Sequence, residues 1–299
     1  MSSPTGSDPL LVEQDGGVLT LVNNNAPRNQ MTLEYMDALE EAVADAAADP
    51  SVRALVITAA GDEHFSVGMD LKQLMTGALD RGIDAVLDQR LRVLRAIETM
   101  AKPSVATLYG YCLGGGLEVA LACHFRLAAS DGAKIGLPEL DLGTVPAWGG
   151  TARLTRCVGR DRALDMILRA KKIDGRRAHE IGLVNELHPM ANLRDAAHAL
   201  AQELAAKPPV SVAGVLRCVV GAEHAPLDEA LALERAAVSA CSGTKDLVEG
   251  CRPSSRSAHR SSPASSPAGR RNGWVDEHCG AARGSVRPLP RSTRGVPRP

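Results

Sequence analysis

The run Gly114-Gly115-Gly116-Leu117-Glu118 constrains this chain more than any other part of it. Residues 103–109, Pro-Ser-Val-Ala-Thr-Leu-Tyr, predict a short buried strand, because β-branched and aromatic residues follow a Lys-Pro breaker. Residues 117–123 predict a helix. Three glycines between them let the backbone turn sharply and leave amide N–H groups bare at the helix N-terminus. Such a turn suits an anion, or an oxyanion that develops during a reaction; it equally suits a tight packing turn with no chemical role. Glu118 bears on the choice. Flanked by Leu117, Val119, Ala120, Leu121 and Ala122, its carboxylate is costly to bury without a partner or a task.

Two further segments favour the chemical reading. Downstream lies Gly136-Leu137-Pro138-Glu139-Leu140-Asp141-Leu142-Gly143-Thr144-Val145-Pro146-Ala147-Trp148-Gly149-Gly150-Thr151-Ala152-Arg153-Leu154, and upstream His64-Phe65-Ser66-Val67-Gly68-Met69-Asp70-Leu71-Lys72. With Gly110-Tyr111-Cys112-Leu113 and the glycine run, in this order, they resemble the enoyl-CoA hydratase/isomerase (crotonase) superfamily. The resemblance extends from about residue 10 to Gly250. It implies an α/β fold with a crotonase-like ββα superhelix core over 10–190 and a C-terminal helical trimerisation module over 191–250. It also implies an acyl-CoA thioester as substrate, with coenzyme A part of that substrate and no separate cofactor. Assembly as a homotrimer, or a dimer of trimers, follows from the same likeness.

By the resemblance, the backbone amides of Met69 and Gly115 form the oxyanion hole. A small residue is common at the Met69 position; since the amide does the work, methionine there is expected to reshape the acyl pocket only. Asp70, Leu71 and Lys72 would line coenzyme A, Lys72 either pairing with a phosphate or remaining solvated. Pro27-Arg28-Asn29 resembles another coenzyme-lining segment, with Arg28 on the turn before the first long helix. Glu118 and Glu139 fall at the two catalytic carboxylate positions. Hydration needs one group to take a proton from water and another to give one to the α carbon, which two glutamates sharing a water can do. Pro138 is expected to fix an extended backbone and aim Glu139. Both acids together favour an enoyl-CoA hydratase, a hydro-lyase. An enoyl-CoA isomerase or another crotonase-fold lyase would use the same oxyanion hole. A non-catalytic acyl-CoA-binding subunit is the alternative outside enzymes, and it leaves two retained acids without a purpose. Trp148 replaces a usually small residue, and either narrows the acyl pocket or covers the helix N-terminus.

The remaining sequence supplies the frame. Residues 10–22 predict a hairpin with an Asp-Gly turn, followed by a helix capped by Thr32 and stopped by Asp49-Pro50. A strand at 53–58, a loop at 59–76, a helix at 83–100 and a strand at 125–129 continue the β–α alternation. The third of these places Val86, Leu87, Arg90, Leu91, Leu94 and Ile97 on one stripe. Beyond Gly149 the pattern is helical, near 192–206, 210–221 and 227–241, apart from a strand at 184–187. Seven cysteines without a Cys-x-x-Cys pair predict reduced thiols and a cytoplasmic protein, with Cys112 and Cys123 as small core residues. The histidines show no metal-ligand spacing, so no metal is expected. No run reaches transmembrane length, and the polar first residues lack a signal peptide's apolar core, so no membrane is expected.

Residues 251–299 hold ten arginines, nine serines and seven prolines against two acids, without apolar periodicity. They predict a disordered tail. The net charge of −1 therefore divides into +8 for the tail and −9 for residues 1–250, so the body offers no basic surface and no nucleic-acid partner is expected. The superfamily's usual last helix is replaced here by this composition, which a frameshifted GC-rich coding region would produce; a basic tail for nucleic acid or an anionic partner is the functional alternative. Ordering such a segment would cost about 1–2 kcal/mol per residue with little burial in return. Deleting all residues after Gly250 should leave the melting temperature unchanged. A truncated protein that melts markedly lower would show the tail to be structured.

Overall fold

Two apolar runs flanking Asp15-Gly16 form the first hairpin of the computed structural model, which describes residues 8–251. Strand β1 (Leu10–Asp15) pairs antiparallel with β2 (Val18–Asn23). Helix α1 (Leu33–Ala48) starts where Thr32 accepts a hydrogen bond from the Tyr35 N–H and ends before Asp49-Pro50, since proline cannot continue a helix. Strand β3 (Ala54–Ala59) is buried along its whole length and runs parallel to β2. The segment that follows differs from the expected loop at its end. Asp70 Oδ1 accepts from the N–H groups of Lys72 and Gln73, capping a short helix, α2 (Leu71–Gly77). A π-helical turn (Ala78–Gly82) leads into α3 (Ile83–Glu98). Of the predicted stripe, Val86, Arg90, Leu94 and Ile97 are buried; Val93 joins them, and Leu91 faces solvent at 42% exposure.

Strand β4 (Ser104–Leu108) is followed after two residues by β5 (Tyr111–Leu113), and the glycine run then opens α4 (Gly115–Ala122). Strands β6 (Phe125–Ala129) and β7 (Lys134–Gly136) repeat the pattern. The chain continues through α5 (Gly150–Val158), α6 (Arg160–Leu168), α7 (Gly175–Glu180), β8 (Glu186–His188) and α8 (Met190–Ala205). Last come α9 (Pro209–Ala222), α10 (Leu227–Cys241) and α11 (Lys245–Gly250).

The larger sheet has the order β1-β2-β3-β4-β6-β8, parallel from β2 onward, so each strand lies beside the one laid down before it. Strands β5 and β7 form a separate parallel pair. The chain thus leaves the large sheet at the end of β4, adds a strand to the small one, and returns through a helix: a ββα spiral. Sequence periodicity does not show the small sheet, because three-residue strands are too short to carry an alternation.

Helix α8 crosses the large sheet and buries Leu193, Ala197 and Ala201 against it, small side chains that allow a close approach. Helices α9 and α10 pack chiefly on each other and bury little else. The segment expected as one helical module over 191–250 therefore divides by its contacts, with α8 on the sheet. Cys112 and Cys123 are core residues, and burial pushes both thiols up, that of Cys123 to about 12. Among the described residues, no single helix is long and apolar enough to cross a membrane. The tail expected at 251–299 lies, but for Cys251, outside the described residues.

Gly110 carries the chain from one sheet to the other at φ 49°, and a Cβ there would lie 1.6 Å from the Glu63 carbonyl oxygen and 2.6 Å from His64 Nδ1. Gly110→Ala should therefore destabilise the protein by more than roughly 2 kcal/mol. Urea unfolding measures this; a wild-type midpoint would show that the Glu63-His64 loop simply moves aside.

Candidate active site

Three chain segments converge at the N-terminus of α4. The first is the loop before α2. Ser66 N–H donates to Tyr111 O and Leu113 N–H to Ser66 O, so residues 65–68 run along β5 like an added strand. Asn29, fully buried at φ 48°, pins this loop: its Nδ2 donates to the carbonyls of Ala60 and His64, while its own carbonyl accepts from Ser66 Oγ and Asn23 Nδ2. The loop is thereby pressed against the glycine turn, and a Cβ on Gly68 would stand 3.1 Å from Leu113 O and 3.7 Å from Gly115 N. The N–H groups of Met69 and Gly115 belong to these two apposed segments, and neither has an acceptor among the described residues. The Gly115 amide is the first of a helix, where backbone dipoles add to its pull on negative charge.

The second segment is the turn itself. Gly114 takes φ 52°, ψ −127°, a conformation that side-chain-bearing residues avoid, and a Cβ there would meet Glu139 Oε1 at 2.9 Å. Glu139 thus sits directly over the turn. Its backbone is not extended, as Pro138 had suggested. Pro138 has ψ 19° and caps a 3-10 turn, Glu139–Leu142, because proline's fixed φ and missing N–H suit the start of a helical turn as well as a strand. Glu139 Oε2 is buried with no hydrogen-bond partner among the described residues. Burial raises its carboxyl above the usual range, against a lowering backbone hydrogen bond.

The third segment carries Trp148. Glu118, 2% exposed, accepts hydrogen bonds at Oε1 from Trp148 N–H (2.8 Å) and Gly150 N–H (2.7 Å), which ties this loop to α4. Desolvation pushes Glu118 up to about 7, outweighing those two bonds, and the Glu139 charge adds to the rise. Arg153 fixes the loop from the other side, donating to Trp148 O and pairing with Glu98 at 3.0 Å. The indole lies across the turn: a Cβ on Gly115 would fall 2.4 Å from its Cζ3. Trp148 therefore covers the helix N-terminus, the second of its two sequence readings. The guanidinium carbon of Arg90 lies 5.8 Å from the indole centroid.

Met69, Gly115, Glu118 and Glu139 are thus brought together. Asp70 caps α2, while Leu71 and Lys72 are exposed on its first turn, Lys72 with no ion pair among the described residues. Arg28 is exposed, and its carbonyl accepts from Val67 N–H at 3.1 Å, which sets it beside the same loop. Among the described residues, no cluster of His, Cys, Asp and Glu side chains could hold a metal ion. The arrangement offers two unpaired N–H donors and two carboxyl groups of raised pKa: a place for a developing oxyanion beside a proton-transfer pair. Sequence reasoning did not find the Asn29 clamp or the Arg153–Glu98 pair. Neither has a local signal, since each joins segments far apart in the chain.

Residues 13–253 match the enoyl-CoA hydratase/isomerase family. A crotonyl-CoA hydratase from Syntrophomonas wolfei is 32% identical over 242 residues, covering 81% of this chain and 92% of that protein. The fatty acid oxidation complex subunit alpha of Shewanella baltica is 37% identical over 203 residues, which are 66% of this chain but only 29% of that longer protein. Among solved structures, an enoyl-CoA hydratase from Geobacillus kaustophilus superimposes with a TM-score of 0.78 at 30% identity, over 82% of this chain and 93% of that one.

The raised Glu118 pKa has a consequence for stability. A carboxyl whose pKa rises from 4.5 unfolded to about 7 folded binds more protons in the native state between those values, so its contribution falls as pH rises through that window. Glu118→Gln keeps an acceptor for both amides and removes the ionisation. Above pH 7 it should be more stable than the wild type, by up to about 3 kcal/mol, and the gap should close as pH falls toward 4.5. Thermal melts of both proteins across this range measure it; a pH-independent difference would show that Glu118 does not titrate there.

Proposed function

The chain belongs to the enoyl-CoA hydratase/isomerase family, and from that premise we propose that it is an enoyl-CoA hydratase, adding water across the C2=C3 bond of a trans-2-enoyl-CoA thioester. One observation carries the reading: two carboxyl groups, both pushed toward neutrality by burial, flank two backbone N–H groups that have no acceptor among the described residues.

The chemistry follows from that juxtaposition. The thioester oxygen accepts from the Met69 and Gly115 amides, each worth roughly 3 kcal/mol toward the charge it gains in the transition state. A water held between Glu118 and Glu139 loses a proton to the ionised member of the pair as its oxygen bonds to C3. The C2=C3 electrons move toward the carbonyl and form an enolate. The enolate then takes a proton at C2 from a carboxylic acid, giving a 3-hydroxyacyl thioester and restoring the pair. Burial raises both carboxyl groups, and Glu118, at about 7, can give or take a proton near neutral pH. The reaction is redox-neutral, so coenzyme A enters as part of the substrate and no further cofactor is called for. Asp70, Leu71 and Lys72 at the start of α2, with Arg28 on the neighbouring turn, line the coenzyme in this reading; Lys72 and Arg28 are the exposed cations available to its phosphates. A homotrimer or dimer of trimers belongs to the same reading, supported by the apolar side chains of Val215, Val219 and Val238 that α9 and α10 leave exposed.

Crotonyl-CoA hydration, followed by loss of ultraviolet absorbance, tests the assignment. Glu118→Gln and Glu139→Gln should each lower turnover by about 10²-fold or more, with ligand binding retained. Gly115→Pro, if its circular dichroism shows it folded, should be inactive because the donor is gone. Near-wild-type turnover in either glutamine variant would overturn the two-acid mechanism, and a shifted double bond in place of a 3-hydroxy product would make the enzyme an isomerase.

A further inference from the structure

Arg90 is at odds with its surroundings. It occupies the buried stripe of α3 among Val86, Val93 and Leu94 and has no exposed surface. One end of its guanidinium is partnered: Nη1 donates to Val86 O and to Gln89 Oε1. Gln89 Nε2 in turn donates to Asp37 Oδ1 at 2.8 Å and Glu40 Oε2 at 2.9 Å, so these two acids are hydrogen-bonded to Arg90 through the amide alone, while their charges act on the guanidinium from a distance. Nε and Nη2 have no partner among the described residues. They lie on one edge of the guanidinium, the edge that grips a carboxylate with two parallel hydrogen bonds. Arginine does not shed its charge to relieve burial, so this edge calls for an anionic acceptor.

Its position says where such an acceptor would come from. The guanidinium faces the indole of Trp148 at 5.8 Å, and the same indole rests against Gly115, whose amide is the proposed oxyanion donor. Trp148 N–H also holds Glu118. A thioester anchored by its carbonyl at Gly115 and by C3 at the two acids has the indole as the wall beside its chain, and Arg90 stands on that wall. We propose that Arg90 is a specificity-determining residue that receives the carboxylate at the far end of a short acyl chain, making trans-2-enoyl thioesters of dicarboxylic acids the preferred substrates. This rests on the hydratase reading of the same site.

The experiment has a catalytic and a binding arm. Hydration of trans-2-hexenedioyl-CoA is compared with that of trans-2-hexenoyl-CoA, which has the same carbon number without the terminal carboxylate. Calorimetric titration compares adipyl-CoA with hexanoyl-CoA, saturated esters that cannot be hydrated. The wild type should favour the dicarboxylic ester by about tenfold or more in kcat/KM and in affinity, the scale of a charge-assisted hydrogen-bond pair. Arg90→Met should abolish both preferences, and Arg90→Lys should keep a part of them. Equal affinity of wild type for adipyl- and hexanoyl-CoA overturns the proposal, as does a preference that survives in folded Arg90→Met. If Arg90→Met does not fold, an undiminished preference in Arg90→Lys counts against the bidentate grip, and the wild-type titration decides the substrate class. Preferential adipyl-CoA binding without hydration of either enoyl ester would sustain the carboxylate site and sink the hydratase reading; equal hydration of both esters would do the reverse.

Discussion

The two hydrogen bonds from the Trp148 and Gly150 amides to Glu118 connect parts of the chain that otherwise have little reason to meet. They fasten the loop after the small sheet to the first turn of α4, and in doing so fix where Trp148 and, through Arg153, Glu98 must lie. A buried carboxylate without such donors would be prohibitively costly, and with many more of them it would be a permanent anion. Two bonds to one oxygen leave the second oxygen without a partner among the described residues. Glu118 is therefore held in place mechanically and left poised electrically, and both properties have the same source.

The side chain and backbone of Trp148 have separate duties. Its N–H serves the acid; its indole lies over Gly115 and against Arg90. The glycine turn, Glu118 and Arg90 are thus gathered about one residue. That concentration explains why a glycine is required at position 115, where any Cβ would run into the ring.

Much of this was legible in the sequence because the informative residues are local. Thr32 as a cap, Asp15-Gly16 as a turn and the alternation of strand and helix depend on near neighbours, and all of them appear in the structure. Arg90 could be placed on the buried stripe from spacing alone. What it touches could not, because Trp148 comes from a different segment altogether. The same limit applies to Asn29, whose four hydrogen bonds join the turns before α1 and before α2. The backbone at Glu139 was misread for a different reason: proline restricts φ tightly but leaves ψ to its surroundings, and here the surroundings closed a 3-10 turn.

The strand order of the large sheet bears on how the protein comes into being. From β2 to β8 every strand pairs with one already synthesised, and none has to insert between two that are already joined. A nascent chain can therefore add each layer to a finished edge as it leaves the ribosome, with an exposed edge that is only ever waiting for the next segment. The N-terminal half would template the C-terminal half during translation, and α8, which spans several strands at once, would close the assembly late.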